Sequence, residues 1–124
     1  VRRVWVVEDN DANFELVEFL LADAGWQVMR ARDGAEFDTL LGGRPPQLVL
    51  LDMHLPDAGG LDLLARLRAR PAFAGTAVFA LTAHAMRGDR ERFLEAGCDG
   101  YVSKPIDAAR FVAELEAALA RRSS

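Results

Sequence analysis

The chain has a single cysteine, a single lysine and no long apolar run, and each shortage excludes a class of protein. Cys98 has no partner for an internal disulfide, so nothing points to a secreted, stapled scaffold. No apolar run approaches the ~20 residues of a membrane span and no signal peptide opens the sequence, so membrane insertion is not expected. Positive charge is not in excess. The 15 basic residues face 19 acidic ones, for a formal net charge of −4. Without a basic stripe, direct nucleic-acid binding is not expected. A cytoplasmic location is the default expectation. The start at Val1 in place of Met fits a chain trimmed or cut from something longer.

What is present suits one domain over residues 1–124. The sequence is 51% hydrophobic and 27% charged, enough apolar material for a real core. The shortage of lysine is itself informative. Positive charge is supplied almost entirely as Arg, which leaves Lys104 as the one compact ammonium.

Strand-like and helix-like runs alternate. Val4-Trp5-Val6-Val7 is wholly apolar and β-rich, the pattern of a strand buried on both faces. From about Ala12 to Ala24, Phe14, Val17, Leu20 and Leu21 share a helical face, and Gly25 stops it. Trp26 to Ala31 is a more polar strand, as expected nearer a sheet edge. Asp33 caps a short helix carrying Phe37, Leu40 and Leu41. Leu48-Val49-Leu50-Leu51 is a third strand, followed by a helix with Leu61, Leu64 and Leu67 that ends before Pro71. Ala77 to Leu81 is a fourth strand, and a helix from about Met86 to Ala96 follows. Gly100 to Ser103 is the fifth strand. Asp107 caps a last helix whose face is Ala108, Phe111, Val112, Leu115 and Leu119. Such alternation implies an α/β fold, a doubly wound parallel sheet of five strands covered on both sides. Cys98 reads as a small apolar filler, and Arg66, Arg68 and Arg70 as a wet helix face.

The polar residues are informative by position. The first strand runs into Glu8 and Asp9, the third into Asp52, the fourth into Thr82 and the fifth into Ser103-Lys104. In an open parallel sheet all strand C-termini share one rim, where ligands bind. Three carboxylates, a hydroxyl and an ammonium should therefore meet there. Ionised carboxylates so close repel unless positive charge intervenes. One Mg2+ and one Lys would balance three carboxylates, and oxygen donors without a convergent Cys suit a hard cation. An Asp beside such an ion can serve as a nucleophile toward phosphorus.

Four segments now stand together: Val7-Glu8-Asp9-Asn10, Leu51-Asp52-Met53-His54-Leu55-Pro56, Leu81-Thr82-Ala83 and Ser103-Lys104-Pro105-Ile106. In order and spacing they resemble the signature segments of response-regulator receiver domains, and the similarity covers essentially the whole chain. The Asn10/Asn13 pair, the Lys-Pro-Ile ending and Ala85-Met86-Arg87-Gly88-Asp89 are similar to hybrid-kinase and single-domain receivers. The resemblance implies strand order 2-1-3-4-5, for which a receiver protein is the standing example of the rule on ligand position.

It also implies roles. Asp52 resembles the phosphoacceptor. Glu8 and Asp9 resemble the acidic pair that holds Mg2+ (with Mn2+ as a substitute), although the family more often has Asp at the first position. His54 would give the ion its backbone carbonyl, not its ring. Lys104 resembles the partner of Asp52 and then of the phosphoryl oxygens, and Pro105 the proline after a cis peptide that aims Lys104 inward. Thr82 would donate its hydroxyl to the phosphoryl group. Tyr101 resembles the switch aromatic, with a half-buried packing tyrosine as the competing reading. His54 and His84 would flank the path of the hydrolytic water and make dephosphorylation pH-dependent.

The implied partners are a sensor histidine kinase or a histidine phosphotransfer protein, and a fused kinase or output domain. The implied function is phosphorelay signalling through the fourth helix, fifth strand and fifth helix, not turnover of a substrate. Rival classes fit less well. A haloacid-dehalogenase-type enzyme needs a second acid where His54 stands. A flavin- or nucleotide-binding module needs a phosphate loop where Glu8-Asp9-Asn10-Asp11 would repel anions. A degenerate receiver acting only as an interaction module would not need Glu8, Asp9, Asp52, Thr82 and Lys104 intact.

Overall fold

The structure is a computed structural model and describes residues 2–55, 57, 59–83 and 89–122. The elements are β1 (Arg2–Val7), α1 (Asp11–Asp23), β2 (Trp26–Ala31), α2 (Gly34–Leu41), β3 (Leu48–Asp52), α3 (Gly60–Arg68), a 3-10 turn (Pro71–Phe73), β4 (Ala77–Thr82), α4 (Asp89–Ala96), β5 (Gly100–Ser103) and α5 (Phe111–Arg122). The strands pair in parallel in the order β2-β1-β3-β4-β5. Among the described residues no helix is long and apolar enough to cross a membrane.

Alternation along the central strands divides the core into two layers, because successive side chains in a strand point to opposite faces. Trp5, Val7, Val49, Leu51, Val78 and Ala80 face one side, against Phe37 of α2 and Leu63, Leu64 and Leu67 of α3. Val4, Val6, Leu48, Leu50, Phe79 and Leu81 face the other, against Phe14, Val17 and Leu21 of α1 and Phe111 and Leu115 of α5. Trp5 anchors the first layer edge-on to Phe37, with ring centroids 6.2 Å apart. As an edge strand, β2 alternates between buried and exposed positions, which explains its polar sequence.

Several boundaries differ from the sequence reading. α5 starts at Phe111 rather than directly after Asp107. Asp107 instead caps a preliminary turn: its carboxylate accepts from Ala109 N and its carbonyl accepts from Arg110 N and Phe111 N. In α3 the buried leucines are Leu63, Leu64 and Leu67, with Leu61 only partly covered. Residues 84–88, and with them the expected start of the fourth helix, lie outside the described residues. Gly60 opens α3 so close to the preceding loop that a Cβ would strike the Met53 sulfur and stand 2.7 Å from Met53 Cα.

The wet face expected for Arg66, Arg68 and Arg70 holds for Arg66, which pairs in solvent with Asp38 and Asp62, and for Arg70, which is also exposed. Arg68 curls back to donate to the carbonyls of Gly97, Phe73 and Thr76 and pairs with Asp99 at 3.2 Å. Arg70 donates to the Leu41 carbonyl. Helical periodicity reports the angle of a side chain, not its reach, and a guanidinium reaches far.

Candidate functional site

β1, β3 and β4 end at neighbouring points of one rim, and the polar residues occupy those ends. Asp52 is the last residue of β3 and pairs in register with Leu81, one position before Thr82. Thr82 pairs with Ser103 of β5, and the ladder runs one step further, with Lys104 N donating to the Thr82 carbonyl at 2.8 Å. Glu8 N still donates to Ala31 O after β1 has ended, which holds Glu8 in the plane of the sheet. Asp9 then leaves the ladder, and Asn10 caps α1 by accepting from Asn13 N at 2.9 Å.

The three carboxylates converge as expected, with the ammonium beside two of them. One carboxylate oxygen from each of Glu8, Asp9 and Asp52 lies within 4.8 Å of the others. Glu8 and Asp52 are buried, at 1% and 3% exposure, while Asp9 faces solvent. The ammonium of Lys104 stands 2.7 Å from Glu8 Oε1 and 3.3 Å from Asp52 Oδ2. Both contacts are within ion-pair distance. Lys104 was expected to pair with Asp52; Glu8 is the nearer partner. The other oxygen of Asp52 accepts from His54 N at 2.9 Å.

Burial and crowding split the two carboxylates electrostatically. Glu8 is pushed up to about 7, first by burial, then by its contact with Asp52, against the opposing pull of Lys104. Burial acts on Asp52 in the same sense, but the contacts with Glu8, His54 N–H and Lys104 outweigh it and hold Asp52 below its ordinary range. Lys104 is raised, because its two carboxylate partners overcome the cost of burying its charge. In the metal-free protein below about pH 7, the proton is therefore held by Glu8 while Asp52 keeps its charge. The nucleophile expected from the sequence is the ionised member of the pair.

Glu8 also makes a stability prediction. Its folded value of about 7 lies above the ordinary 4.5, so the folded state binds the extra proton between those values. Its contribution to stability is complete below about 4.5 and is lost as pH rises through about 7, by up to about 3 kcal/mol. Asp52, whose value is lowered, titrates below that window and does not mask the effect. Chemical denaturation without divalent metal at pH 5 and pH 8 should show the fall in wild type. Glu8→Gln should flatten it.

The remaining expected residues fall out as follows. Thr82 is fully buried at the rim, and Tyr101, at 36% exposure, lies on β5 two positions before Ser103. The Lys104-Pro105 bond is cis, as the resemblance implied. His54 is exposed, and its backbone N–H reaches the Asp52 carboxylate. His84 and Pro56 lie outside the described residues. Sequence reasoning gave no role to Asp57, whose carboxylate accepts from Gly34 N at 2.9 and 3.1 Å and ties the β3–α3 loop to the start of α2. It also gave none to Arg30. The signal available for Arg30 was a lone arginine in a strand that is otherwise half-buried.

Comparison with known proteins gives one answer. Residues 4–116 match the family model described as the response regulator receiver domain. The polar-differentiation response regulator DivK of Brucella anthropi is 36% identical over 118 residues, covering 95% of this chain and 96% of its own. A response regulator from Chloroflexus aurantiacus superposes with a TM-score of 0.87 at 29% identity, covering 97% of this chain and 98% of the other. The signal receiver domain of a signal transduction histidine kinase from Syntrophus aciditrophicus superposes with a TM-score of 0.84 at 26% identity, covering 98% and 92%. A parallel 2-1-3-4-5 sheet with acids, a threonine and a lysine at one rim thus has its kin: the chain belongs to the response regulator receiver domains, the phosphoacceptor signalling domains of two-component systems.

Proposed function

We propose that Asp52 accepts a phosphoryl group from the phosphohistidine of a sensor histidine kinase or a histidine phosphotransfer protein. The observation that carries this reading is one buried carboxylate that shares a single ammonium with a second buried acid at the sheet rim.

The donor set fits Mg2+. Glu8, Asp9 and Asp52 offer clustered oxygens, the His54 carbonyl is a further hard donor, and the only thiol, Cys98, is buried in the core and pushed up to about 11 by that burial. Mn2+, with the same taste for oxygen, would substitute. When bound, the ion offsets negative charge on both acceptor and donor and makes Glu8 give up its proton. The protein's own residues do the rest. An Asp52 oxygen attacks phosphorus in line, the bond to the donor imidazole nitrogen breaks, and its electron pair stays with the ring. Lys104 turns from carboxylate to phosphoryl oxygen, and the Thr82 hydroxyl donates to another.

The acyl phosphate adds charge beside Thr82 and biases a two-state equilibrium of the α4–β5–α5 surface, with Tyr101 as the moving aromatic. A shift from 1:99 to 99:1 requires about 5.5 kcal/mol of differential interaction. The domain also assists its own dephosphorylation, and the resemblance gives His54, two residues after Asp52, a part in that step. A stable phosphoryl mimic tests the reading without a kinase. Beryllofluoride with Mg2+ should shift the amide NMR signals of Asp52, Thr82 and Tyr101; spectra unchanged at saturating concentrations would overturn it.

A further inference from the structure

Arg30 belongs to the edge strand β2, yet its side chain keeps only 14% exposure. Its guanidinium lies 4.4 Å over the Phe14 ring of α1. Nε and Nη2 both donate to the Glu8 carbonyl at 3.1 Å, and Nη2 also reaches the Asp9 carbonyl at 3.3 Å. Asp11 Oδ1 stands 2.9 Å from Nη2. All of these contacts fall on residues 8–14, the segment that supplies two of the three clustered carboxylates. Glu8 and Asp9 lie between the end of β1 and the start of α1, so their carbonyls are outside both regular hydrogen-bond patterns. A side chain from the neighbouring strand takes them up.

We infer that Arg30 is a positioning residue: it fixes the backbone at Glu8 and Asp9 so that both carboxylates stand against Asp52 before an ion arrives. The inference rests on the phosphoacceptor reading above. The shape of the side chain matters. A planar fork can hold one carbonyl with two N–H groups while reaching the next, which a lysine ammonium on a flexible stem does poorly. Its charge works the other way, since a cation beside a Mg2+ site repels the ion, with Asp11 offsetting part of that field. The two effects therefore have opposite signs. If Arg30 mattered only as charge, its removal would tighten Mg2+ binding; if it orients the ligands, removal weakens it.

The experiment uses the full chain as wild type, Arg30→Gln and Arg30→Lys. Mg2+ binding is measured by calorimetry with no phosphodonor present, and Asp52 labelling by acetyl phosphate is followed against Mg2+ concentration. Arg30→Gln should raise the half-saturating Mg2+ about tenfold, the lower end for residues that orient metal ligands. Its labelling rate at saturating Mg2+ should stay within about twofold of wild type, the pattern of lost ion binding with intact chemistry. Arg30→Lys should fall between. The metal-free amide signals of Glu8, Asp9 and Asn10 should move in both variants, while those of Leu64 and Phe73 on the opposite layer stay in place.

Mg2+ binding by Arg30→Gln that is unchanged or tighter, with wild type binding normally, overturns this inference and leaves the phosphoacceptor reading intact. Should Arg30→Gln fail to fold, Arg30→Lys decides: wild-type Mg2+ affinity with unmoved Glu8 and Asp9 amides overturns it equally. A wild type that neither binds Mg2+ nor becomes labelled overturns both.

Discussion

Asp52→Asn should lose phosphoryl labelling completely, with no signal above that of an unfolded control. The substitution is nearly isosteric. The side-chain oxygen still accepts from His54 N, which is 2.9 Å from the carboxylate in wild type, so the β3–α3 loop keeps its anchor. What disappears is the nucleophile, because an amide oxygen carries no negative charge to form the acyl phosphate. The stability change should oppose the activity change. Wild type buries Glu8 and Asp52 together around a single ammonium. An asparagine removes one of the two acids, and its amide can donate to Glu8. Metal-free Asp52→Asn should therefore be at least as stable as wild type at pH 8, read by denaturant midpoint. Loss of labelling with retained stability separates chemistry from folding. Undiminished, hydroxylamine-sensitive labelling of Asp52→Asn would end the proposal, since the acyl phosphate would then sit on another carboxylate.

How much of this was legible in the sequence depends on what kind of information each feature needs. Strand C-termini in a parallel sheet share a rim whatever the details of packing, so Glu8, Asp9, Asp52, Thr82 and Lys104 could be gathered from their place after apolar runs alone. Depth could not be read. Glu8 and Asp9 look alike in sequence, yet Glu8 remains attached to β2 through its amide and is buried, while Asp9 has left the sheet and faces solvent. That difference sends the proton to Glu8 and makes it the nearer partner of Lys104.

Contacts made by long side chains were also hidden. Arg68 and Arg30 each use a reach of several ångströms to satisfy carbonyls on other elements, and no periodicity encodes that. Helix α5 shows a third limit. Asp107 is a cap, as read, but of a preliminary turn, because the apolar face that packs on α1 begins only at Phe111.

Lys104→Met should reduce the labelling rate at saturating Mg2+ by about 10²- to 10³-fold, the usual cost of removing one donor aimed at developing negative charge. Methionine keeps the length and much of the volume of the stem, so the variant removes the ammonium rather than the packing. The ground state responds first. Lys104 is what pulls Glu8 down against burial and Asp52, so without it Glu8 should rise beyond its present value of about 7 and hold its proton more firmly. Ion binding responds in the opposite direction, because removing a positive charge next to a cation site favours the cation. At pH 8, where proton competition is smallest, half-saturation by Mg2+ should be equal to or tighter than wild type. The combination is a slow maximal rate with unimpaired ion binding, the reverse of what Arg30→Gln should show. A lysine that mattered only for holding the two carboxylates apart would give neither result. Its loss would raise the Mg2+ requirement, and excess Mg2+ would restore the rate. A Lys104→Met variant rescued to wild-type labelling by Mg2+ alone would therefore show that the ammonium acts on the resting carboxylates and not on the transferring phosphoryl group.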